Sequence, residues 1–266
     1  MRVASFAYLR SNVVTVTMPS MQAALIDTMG AKNVAHVSHG TWGAKVSQPP
    51  NPSKLRILSF GFWGAFKDAD LLVDATKTLR EQGVDVELVL GGGPHPYFPE
   101  IYQRLVERFS ALPYVKFTGY VPESELSALF SSVSLVVLPY RTNAGASGVL
   151  NLCRSYGLPV VISNEAALLE QLRFEGGAAI VFDDRVSLID GLKRVLTDAA
   201  LRLDMGGQNL AVARRVTIDT QAQALHRLFD DLIHKRPMSQ WFNARDVAAP
   251  QTLVPGQAKL VSWPTV

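Results

Sequence analysis

Short runs of Val, Ile and Leu recur along most of this chain without alternating polar residues, and they restrict its possible folds more than any other feature. Strands that are apolar on both sides are typical of parallel sheets covered by helices on both faces. Amphipathic stretches separate the runs, and this alternation predicts an α/β fold with a doubly wound, mainly parallel sheet. The predicted strands are Val13–Thr17, Val34–Val37, Arg56–Phe60, Val86–Leu90, Val115–Phe117, Leu135–Leu138, Pro159–Ile162 and Ala179–Phe182. The predicted helices are Ala69–Gln82, Pro99–Phe109, Glu123–Ser131, Gly148–Tyr156, Ala166–Leu172, Val186–Leu196, Ala199–Arg214 and Thr217–His234.

The chain of 266 residues divides unevenly. Residues 41–54 are rich in proline and serine and predict a linker. Residues 55–234 hold a complete α/β domain, whereas residues 1–40 hold two strands and a helix near Met21–Met29, too few to bury a core alone. We therefore expect residues 1–40 to be a remnant of a second domain. Residues 235–266 show little periodicity and predict an extended or disordered tail.

Composition and charge exclude several classes of protein. With 48% apolar and 18% charged residues, the chain can bury a core, which excludes global disorder. The net charge of +3 arises in residues 235–266, so the body is neutral and no nucleic-acid partner is expected. The single cysteine, Cys153, excludes an internal disulfide framework and a cysteine zinc site, and it is most simply a buried packing residue.

The sequence gives little reason to expect a membrane-embedded protein. No apolar run approaches the ~20 residues that a membrane-spanning helix needs. The N-terminal sequence MRVASFAYLRS is interrupted by Arg10 and predicts no signal peptide. We expect a cytoplasmic protein, and peripheral association with the inner membrane face stays open.

Four turns that follow predicted strands carry the candidate site, because ligands of open α/β sheets bind at the carboxyl ends of the strands. In the first turn, Gly61 and Gly64 permit close approach of the backbone to a ligand. Lys67 stands at the start of the next helix, where an ammonium and the positive helix end together suit a phosphate. The alternative is an ordinary turn with a solvated lysine.

The second and third turns are less specific. Gly92 and Gly93 lie in a triple-glycine run that leaves backbone N–H groups uncovered, although a loop without a ligand explains the run equally well. Tyr120 and Val121 precede a helix, and their backbone groups could contact a flat base. A simple helix start is the favoured alternative for this turn.

The fourth turn runs from Pro139 into a helix that begins near Gly148. Arg141 adds a positive charge, and the N–H groups of residues 147–149 with the Ser147 hydroxyl suit an anion. Ser147 as a plain helix cap is the alternative, and both roles are compatible.

None of the four turns contains a known single-loop phosphate motif, neither G-x-x-x-x-G-K-[ST] nor G-x-G-x-x-G with a following acid. Several weak sites on one sheet edge instead suggest a nucleotide diphosphate held from several loops. The sequence predicts no metal ion and no cofactor, because His36 and His39 lack accompanying carboxylates.

In these turns the sequence resembles the donor-binding, C-terminal domain of retaining group 1 glycosyltransferases, which have the GT-B fold. The resemblance covers about residues 55–200 and rests on ILSFGFWGAFKDADLLVDA, ELVLGGGP, VKFTGYVPESELSALFSSVSLVVLPY and SGVLNLCRSYGLPVV, in the order and spacing of the family. Residues 12–40 resemble the last strand, helix and strand of the family's N-terminal domain. The resemblance implies a nucleotide-diphosphate sugar as substrate, retention of anomeric configuration and no metal ion.

The resemblance also implies roles for individual residues. Lys67 matches the lysine that contacts the donor diphosphate, and the turn Gly61–Gly64 matches the loop near the sugar and phosphate. Tyr120 and Val121 match backbone positions beside the nucleobase. The turn Ala146–Val149 matches the helix start that faces the sugar phosphates.

Three positions depart from the family pattern. Phe62 stands where the family usually has an arginine, and its pair of glutamates would fall on Ala144 and Leu152. Arg141 is our candidate to supply the missing positive charge, so we assign Lys67 and Arg141 to leaving-group stabilisation. The partner of the domain would be the acceptor-side domain or another chain. The alternative function is a non-catalytic module that binds a nucleotide or a partner protein.

Overall fold

The computed structural model describes residues 11–142, 145–238, 241 and 258–263. Within them the predicted α/β architecture is confirmed: seven strands form one sheet, and a separate pair of short strands precedes it. The strands are β1 (Val14–Val16), β2 (Val34–His36), β3 (Leu55–Ser59), β4 (Val86–Gly91), β5 (Val115–Gly119), β6 (Leu135–Leu138), β7 (Val160–Ser163), β8 (Gly177–Phe182) and β9 (Lys259–Trp263). The helices are α1 (Pro19–Met29), α2 (Ala69–Glu81), α3 (Pro99–Phe109), α4 (Glu123–Ser131), α5 (Gly148–Ser155), α6 (Ala166–Glu175), α7 (Arg185–Thr197), α8 (Ala199–Arg215) and α9 (Ile218–Ile233).

The strand order of the large sheet reverses its direction near the middle. The order is β5-β4-β3-β6-β7-β8-β9, and all neighbouring pairs are parallel except β8 with β9. From β3 the chain first winds outwards through β4 to β5 and then returns to β6 on the other side of β3. This reversal is a topological switch point, where ligands bind at the carboxyl ends of the strands.

The apolar runs form strands because both of their faces are buried. In β6, Leu135 and Val137 pack into one core cluster and Val136 and Leu138 pack into the other, on the opposite face of the sheet. Alternate residues of a strand point to opposite faces, so four consecutive apolar residues serve two cores. The continuous apolar pattern therefore follows from helices on both sides of the sheet.

The last strand was not predicted. Lys259–Trp263 pairs antiparallel with Gly177–Phe182 and extends the sheet by one strand. This part of the chain is regular β-structure, whereas the sequence predicted only an extended or disordered tail for residues 235–266. Residues 242–257 lie outside the described residues. So do residues 1–10, whose sequence predicted no signal peptide.

The N-terminal elements form a small unit of their own. Strands β1 and β2 are a parallel pair, and α1 connects them over a cluster that includes Val16 and Val34. Ser20, at the start of α1, donates from its backbone N–H (2.6 Å) and its hydroxyl (2.5 Å) to the carboxylate of Glu170 on α6. The unit is thus tied to the large domain by hydrogen bonds at a helix start.

The predicted linker, residues 41–54, is anchored along its length. It contains no helix or strand of its own, but the N–H of Lys45 donates to Ser155 O (2.7 Å). Pro49 packs against Gly206 so closely that a Cβ there would lie 2.8 Å from the proline ring. The contacts of residues 41–54 hold them on the surface of the large domain.

Candidate functional site

The first and fourth turns meet at the switch point. Lys67, after β3, forms an isolated antiparallel bridge with Tyr140, after β6. Next to this bridge, the N–H of Arg141 donates to Phe66 O (2.8 Å). Two turns that are 73 residues apart in sequence thus share hydrogen bonds because β3 and β6 are neighbours.

Lys67 is buried in a cage of aromatic rings. Its Nζ lies 5.1 Å from the centroid of the Trp63 ring and 5.7 Å from those of Phe66 and Tyr140. The same Nζ donates a hydrogen bond to Phe60 O (2.5 Å). Ring faces attract an ammonium, so the cage fixes the side chain and partly compensates the loss of water around it.

The charge of Lys67 is not matched by an acid. Burial lowers the pKa of Lys67 from 10.5 to about 7. No carboxylate pairs with this ammonium among the residues that the structure describes. An anion that bound beside Lys67 would supply the missing negative charge and would favour the protonated form of the lysine.

The first and second turns are packed backbone to backbone. The N–H groups of Gly61 and Trp63 donate to the carbonyls of Gly91 and Gly93, each over 3.1 Å. A Cβ on Gly92, whose φ is 94°, would lie 2.4 Å from Gly61 O. Only glycine fits this position, which explains Gly92 without requiring a ligand.

The third turn completes the row. The N–H of Gly92 donates to Thr118 Oγ1 (3.0 Å), and a Cβ on Gly93 would lie 3.5 Å from the backbone nitrogen of Tyr120. The side chain of Tyr120 is largely exposed, and Val121 is half-buried. All four turns therefore lie side by side at the carboxyl ends of β5, β4, β3 and β6.

The start of α5 lies beside Lys67. A Cβ on Gly61 would come within 3.0 Å of Lys67 Nζ and 3.3 Å of Val149 Cγ2, so Gly61 is in contact with both. In the described part of the chain, the N–H groups of Gly148 and Val149 have no hydrogen-bond acceptor. A buried ammonium next to a helix start with two free N–H groups is a suitable environment for an anion.

Ser147, the residue before α5, has hydrogen-bond partners for both its hydroxyl and its N–H. Its hydroxyl accepts from the N–H of Leu150 (3.2 Å), as a helix cap does, and its own N–H donates to Gln171 Oε1 (2.7 Å). The turn Ala146–Val149 was expected to offer the N–H groups of residues 147–149 to an anion. The N–H of Ser147 is not available, because it already donates to Gln171. What remains free for an anion is the pair of N–H groups at Gly148 and Val149.

Arg141 is engaged elsewhere. Its guanidinium forms an ion pair with Asp68 (2.8 and 3.1 Å) and lies on a groove of about 290 Å³ that Asn164 and Asp183 also line. This side chain is more than half exposed. The structure therefore brings the backbone of Arg141 to Lys67, while the guanidinium occupies the outer side of the turn.

The positions that depart from the family pattern carry apolar side chains. Phe62 is about half exposed, and its ring meets that of His95 edge to face, with centroids 6.2 Å apart. Leu152 packs against the core, and Ala144 lies outside the described residues. A Cβ on Gly64 would lie 2.7 Å from the Phe66 ring, so a larger residue there would displace that ring.

The histidines and the cysteine that the sequence analysis considered are hydrogen-bonded or buried within the fold. His39 accepts at Nδ1 a hydrogen bond from Asn151 Nδ2 (2.9 Å), and burial lowers the pKa of His36. Cys153 is fully buried, which raises its pKa.

The described residues include no group of three His, Cys, Asp or Glu side chains arranged for a metal ion. No helix among them has the length and apolarity to cross a membrane.

Sequence reasoning missed Trp63, Tyr140 and Gln171. Trp63 and Tyr140 stand within the turns that were singled out, but only the fold shows that their rings surround Lys67. An aromatic residue four positions before a lysine at a strand end would have been a weak signal. Gln171 is 24 residues from Ser147, and nothing local indicates their contact.

The order of strands, the anion-suited switch point and the glycine-lined turns define a doubly wound domain of the GT-B type. The chain belongs to the group 1 glycosyltransferases: the model of the family "Glycosyl transferases group 1" matches residues 55–198, more than half of the chain.

Two curated relatives show the range of the likeness. The D-inositol 3-phosphate glycosyltransferase of Corynebacterium glutamicum is 24% identical over 68% of this chain and 45% of its own length. A GDP-mannose-dependent alpha-(1-6)-phosphatidylinositol dimannoside mannosyltransferase of Mycobacterium tuberculosis is 30% identical over 48% of this chain and 32% of its own. The chain spans less than half the length of these relatives.

Solved structures show the same fold. Sucrose-phosphate synthase from Thermosynechococcus elongatus superposes with a TM-score of 0.71 at 19% identity, over 88% of this chain and 61% of that protein. Anabaena HepE, solved with UDP and glucose, superposes with a TM-score of 0.70 at 18% identity, over 86% of this chain and 66% of that protein. At such identities the likeness concerns the fold.

Proposed function

We propose that residues 55–234 bind a nucleotide-diphosphate sugar and are the donor-binding part of a glycosyltransferase. One observation carries the proposal: the buried amine of Lys67 and the side chain of Val149, at the start of α5 where the N–H groups of residues 148 and 149 are free, both lie against Gly61 at the switch point. Two positive groups that have no anionic partner in the described chain suit a diphosphate. Related structures of this fold were solved with UDP and with UDP-glucose.

The reaction that fits this site is sugar transfer with a diphosphate as leaving group. Negative charge grows on the diphosphate as its bond to the sugar breaks, and fixed positive groups stabilise that charge. Lys67 and the start of α5 carry this task, and Arg141 contributes once its guanidinium turns from Asp68 to the ligand. By resemblance to the family, the sugar keeps its anomeric configuration and no metal ion is needed.

The other turns would place the rest of the donor. Gly61, Gly64, Gly92 and Gly93 allow the first and second turns to pack tightly, and the backbone of these turns would contact the sugar and phosphate. The backbone of Tyr120 and Val121 would face the nucleobase. Residues 12–40 would belong to the acceptor-side domain, which positions the second substrate and excludes water.

A second function is favoured by the substituted positions. Leu152 cannot accept a hydrogen bond from a sugar or ribose, and Phe62 carries no charge. A domain with these residues could hold a nucleotide or a partner protein without turnover. Binding and transfer separate the two functions, so both are measured.

The test is a calorimetric screen of the 266-residue chain against nucleotide-diphosphate sugars of each base. Binding of one of them, weakened by Lys67→Met, is the expected result; failure of all to bind would contradict the proposal. The bound donor is then offered with a panel of acceptors. Turnover of ~1 per second or more would establish a complete transferase, whereas binding without transfer would favour the non-catalytic module.

A further inference from the structure

The start of α5 is held in place by a side chain from another helix. Gln171, on α6, is almost fully buried, and its Oε1 accepts the hydrogen bond of Ser147 N–H at 2.7 Å. We propose that Gln171 is a positioning residue for the anion-binding end of α5. The inference rests on the proposed function, since it concerns the same N–H groups of Gly148 and Val149.

The orientation of the Gln171 amide is fixed by its second hydrogen bond. Its Nε2 donates to Asn151 Oδ1 (3.1 Å), which also accepts from Arg154 Nη1 (3.0 Å). Asn151 Nδ2 donates to His39 O (3.0 Å), so the amide of Asn151 cannot turn over without losing its partners. With both amides fixed in orientation, Gln171 turns its acceptor oxygen Oε1, and not its NH2 group, towards the N–H of Ser147.

The network ends on a buried ion pair. Arg154 is fully buried and pairs with Glu175, and its Nη2 donates to Gly176 O (2.7 Å). Hydrogen bonds therefore run without a gap from Glu175 through Arg154, Asn151 and Gln171 to Ser147. Because every member is buried, a shift of the α5 start would break hydrogen bonds that water cannot replace.

This network determines which N–H groups at the start of α5 have an acceptor and which stay free. Gln171 takes the N–H of Ser147, and the Ser147 hydroxyl takes that of Leu150. The N–H groups between them, of Gly148 and Val149, stay free beside Lys67. Gln171 thereby confines the anion to these two groups without adding charge to the site.

A matched control lies next to Gln171 on the same helix. Glu170 accepts hydrogen bonds from Ser20 at the start of α1 and has none with α5 among the described residues. Its substitution by glutamine changes a charge at the neighbouring position but leaves the network intact. Any effect of Gln171 variants that Glu170→Gln lacks belongs to the network.

Two substitutions separate positioning from general destabilisation. Gln171→Met keeps the size but removes both hydrogen bonds. Gln171→Glu keeps an acceptor for Ser147 N–H but places a negative charge beside the anion site. A carboxylate there opposes a diphosphate when ionised and stops doing so when protonated, so its effect must depend on pH.

The first measurement needs no ligand. Amide hydrogen exchange of the full chain reads out the Ser147 N–H directly, and we expect Gln171→Met to speed its exchange about tenfold or more while Glu170→Gln does not. Unchanged exchange in Gln171→Met would overturn the proposal. This readout decides the positioning role even if no nucleotide binds.

The second measurement is calorimetric titration with UDP and with GDP. For whichever the wild type binds, we expect about tenfold weaker binding by Gln171→Met at all pH values, the scale of one lost hydrogen bond. Gln171→Glu should bind more weakly still at pH 8 and recover towards pH 5. Wild-type affinity in both Gln171 variants would overturn the proposal, whereas failure of the wild type to bind a nucleotide diphosphate of any base would count against the proposed function alone.

Discussion

The side-chain nitrogen of Lys67 lies 3.0 Å from the position that a Cβ of Gly61 would occupy. Lys67 therefore reaches back over its own turn to the end of β3, where Phe60 O accepts its hydrogen bond. The lysine and the glycine were singled out separately in the sequence, yet they form one unit. The absence of a side chain at residue 61 is what gives the ammonium its place.

Gly61→Ala should therefore damage both the fold and the site. The residue has a φ of 105°, which an L side chain rarely adopts, and the new methyl would press on Lys67 and Val149. We expect a loss of stability of about 1–3 kcal/mol together with weaker binding of the nucleotide diphosphate. Thermal unfolding and calorimetric titration measure the two effects.

Gly83→Ala is the matched control for this substitution. Its φ is 86°, but nothing lies within 4 Å of its Cβ. The control should lose stability through backbone strain alone and should bind the nucleotide as the wild type does. Equal binding by Gly61→Ala and Gly83→Ala would mean that Lys67 does not need the space at Gly61.

The strands of this fold could be predicted because their cause is local. Four successive apolar residues at Leu135–Leu138 predict a strand buried on both faces, and β6 has these bounds. The order of the strands was not predicted, but the α/β class was enough to place the site at their carboxyl ends. Strand β9 was missed because it depends on pairing with β8, about 80 residues earlier.

The convergence of the four turns was predictable from the sequence, but the contacts within them were not. Lys67 was identified as a phosphate ligand or a solvated lysine, and its burial follows from rings that only the fold assembles. Arg141 was expected to face the ligand, but Asp68, which is distant in sequence, holds its guanidinium. Contacts between residues far apart in the chain decide which charges are free.

Lys67→Met should weaken binding of a nucleotide diphosphate without harming the fold. Methionine fills most of the same volume among Trp63 and Tyr140 and removes the cost of a buried amine. We expect the binding free energy to fall by about 1–3 kcal/mol, the scale of a charge-assisted hydrogen bond. Calorimetric titration gives this value, and thermal unfolding should show a stability at least equal to that of the wild type.

Lys77→Met serves as the comparison for this charge removal. Lys77 is a largely exposed residue of α2 that pairs with Glu81. Its substitution removes the same charge and should leave the dissociation constant within about twofold, since exposed pairs contribute little. A Lys67→Met protein that binds as tightly as Lys77→Met would remove Lys67 from the site.

The buried pair of Arg154 and Glu175 should make a large contribution to stability only as a pair. Glu175→Leu leaves a buried guanidinium without its counter-charge, so we expect a loss of about 3–5 kcal/mol. Adding Arg154→Met removes that charge and should recover part of the loss. Urea denaturation of the single and double variants tests this, and strictly additive losses would show that the two charges do not depend on each other.

The pH dependence of nucleotide binding should report the titration of Lys67. The pKa of this amine is lowered to about 7 by burial, so the free protein loses the ammonium as the pH rises through that value. Because a bound diphosphate favours the protonated amine, binding at higher pH must first take up a proton. This costs about 1.4 kcal/mol per pH unit above 7, until the loss equals that caused by Lys67→Met.

Stability of the ligand-free protein should change in the opposite direction. Between pH 7 and 10.5 the unfolded chain keeps the proton that the folded chain has lost, so the unfolding free energy contributed by Lys67 rises with pH. Calorimetry of the wild type at pH 8 in buffers of different ionisation enthalpy should show close to one proton taken up on binding, and Lys67→Met should show none. Proton uptake that persists in Lys67→Met, or an affinity of the wild type that stays constant from pH 6 to pH 9, would show that Lys67 does not titrate in the site.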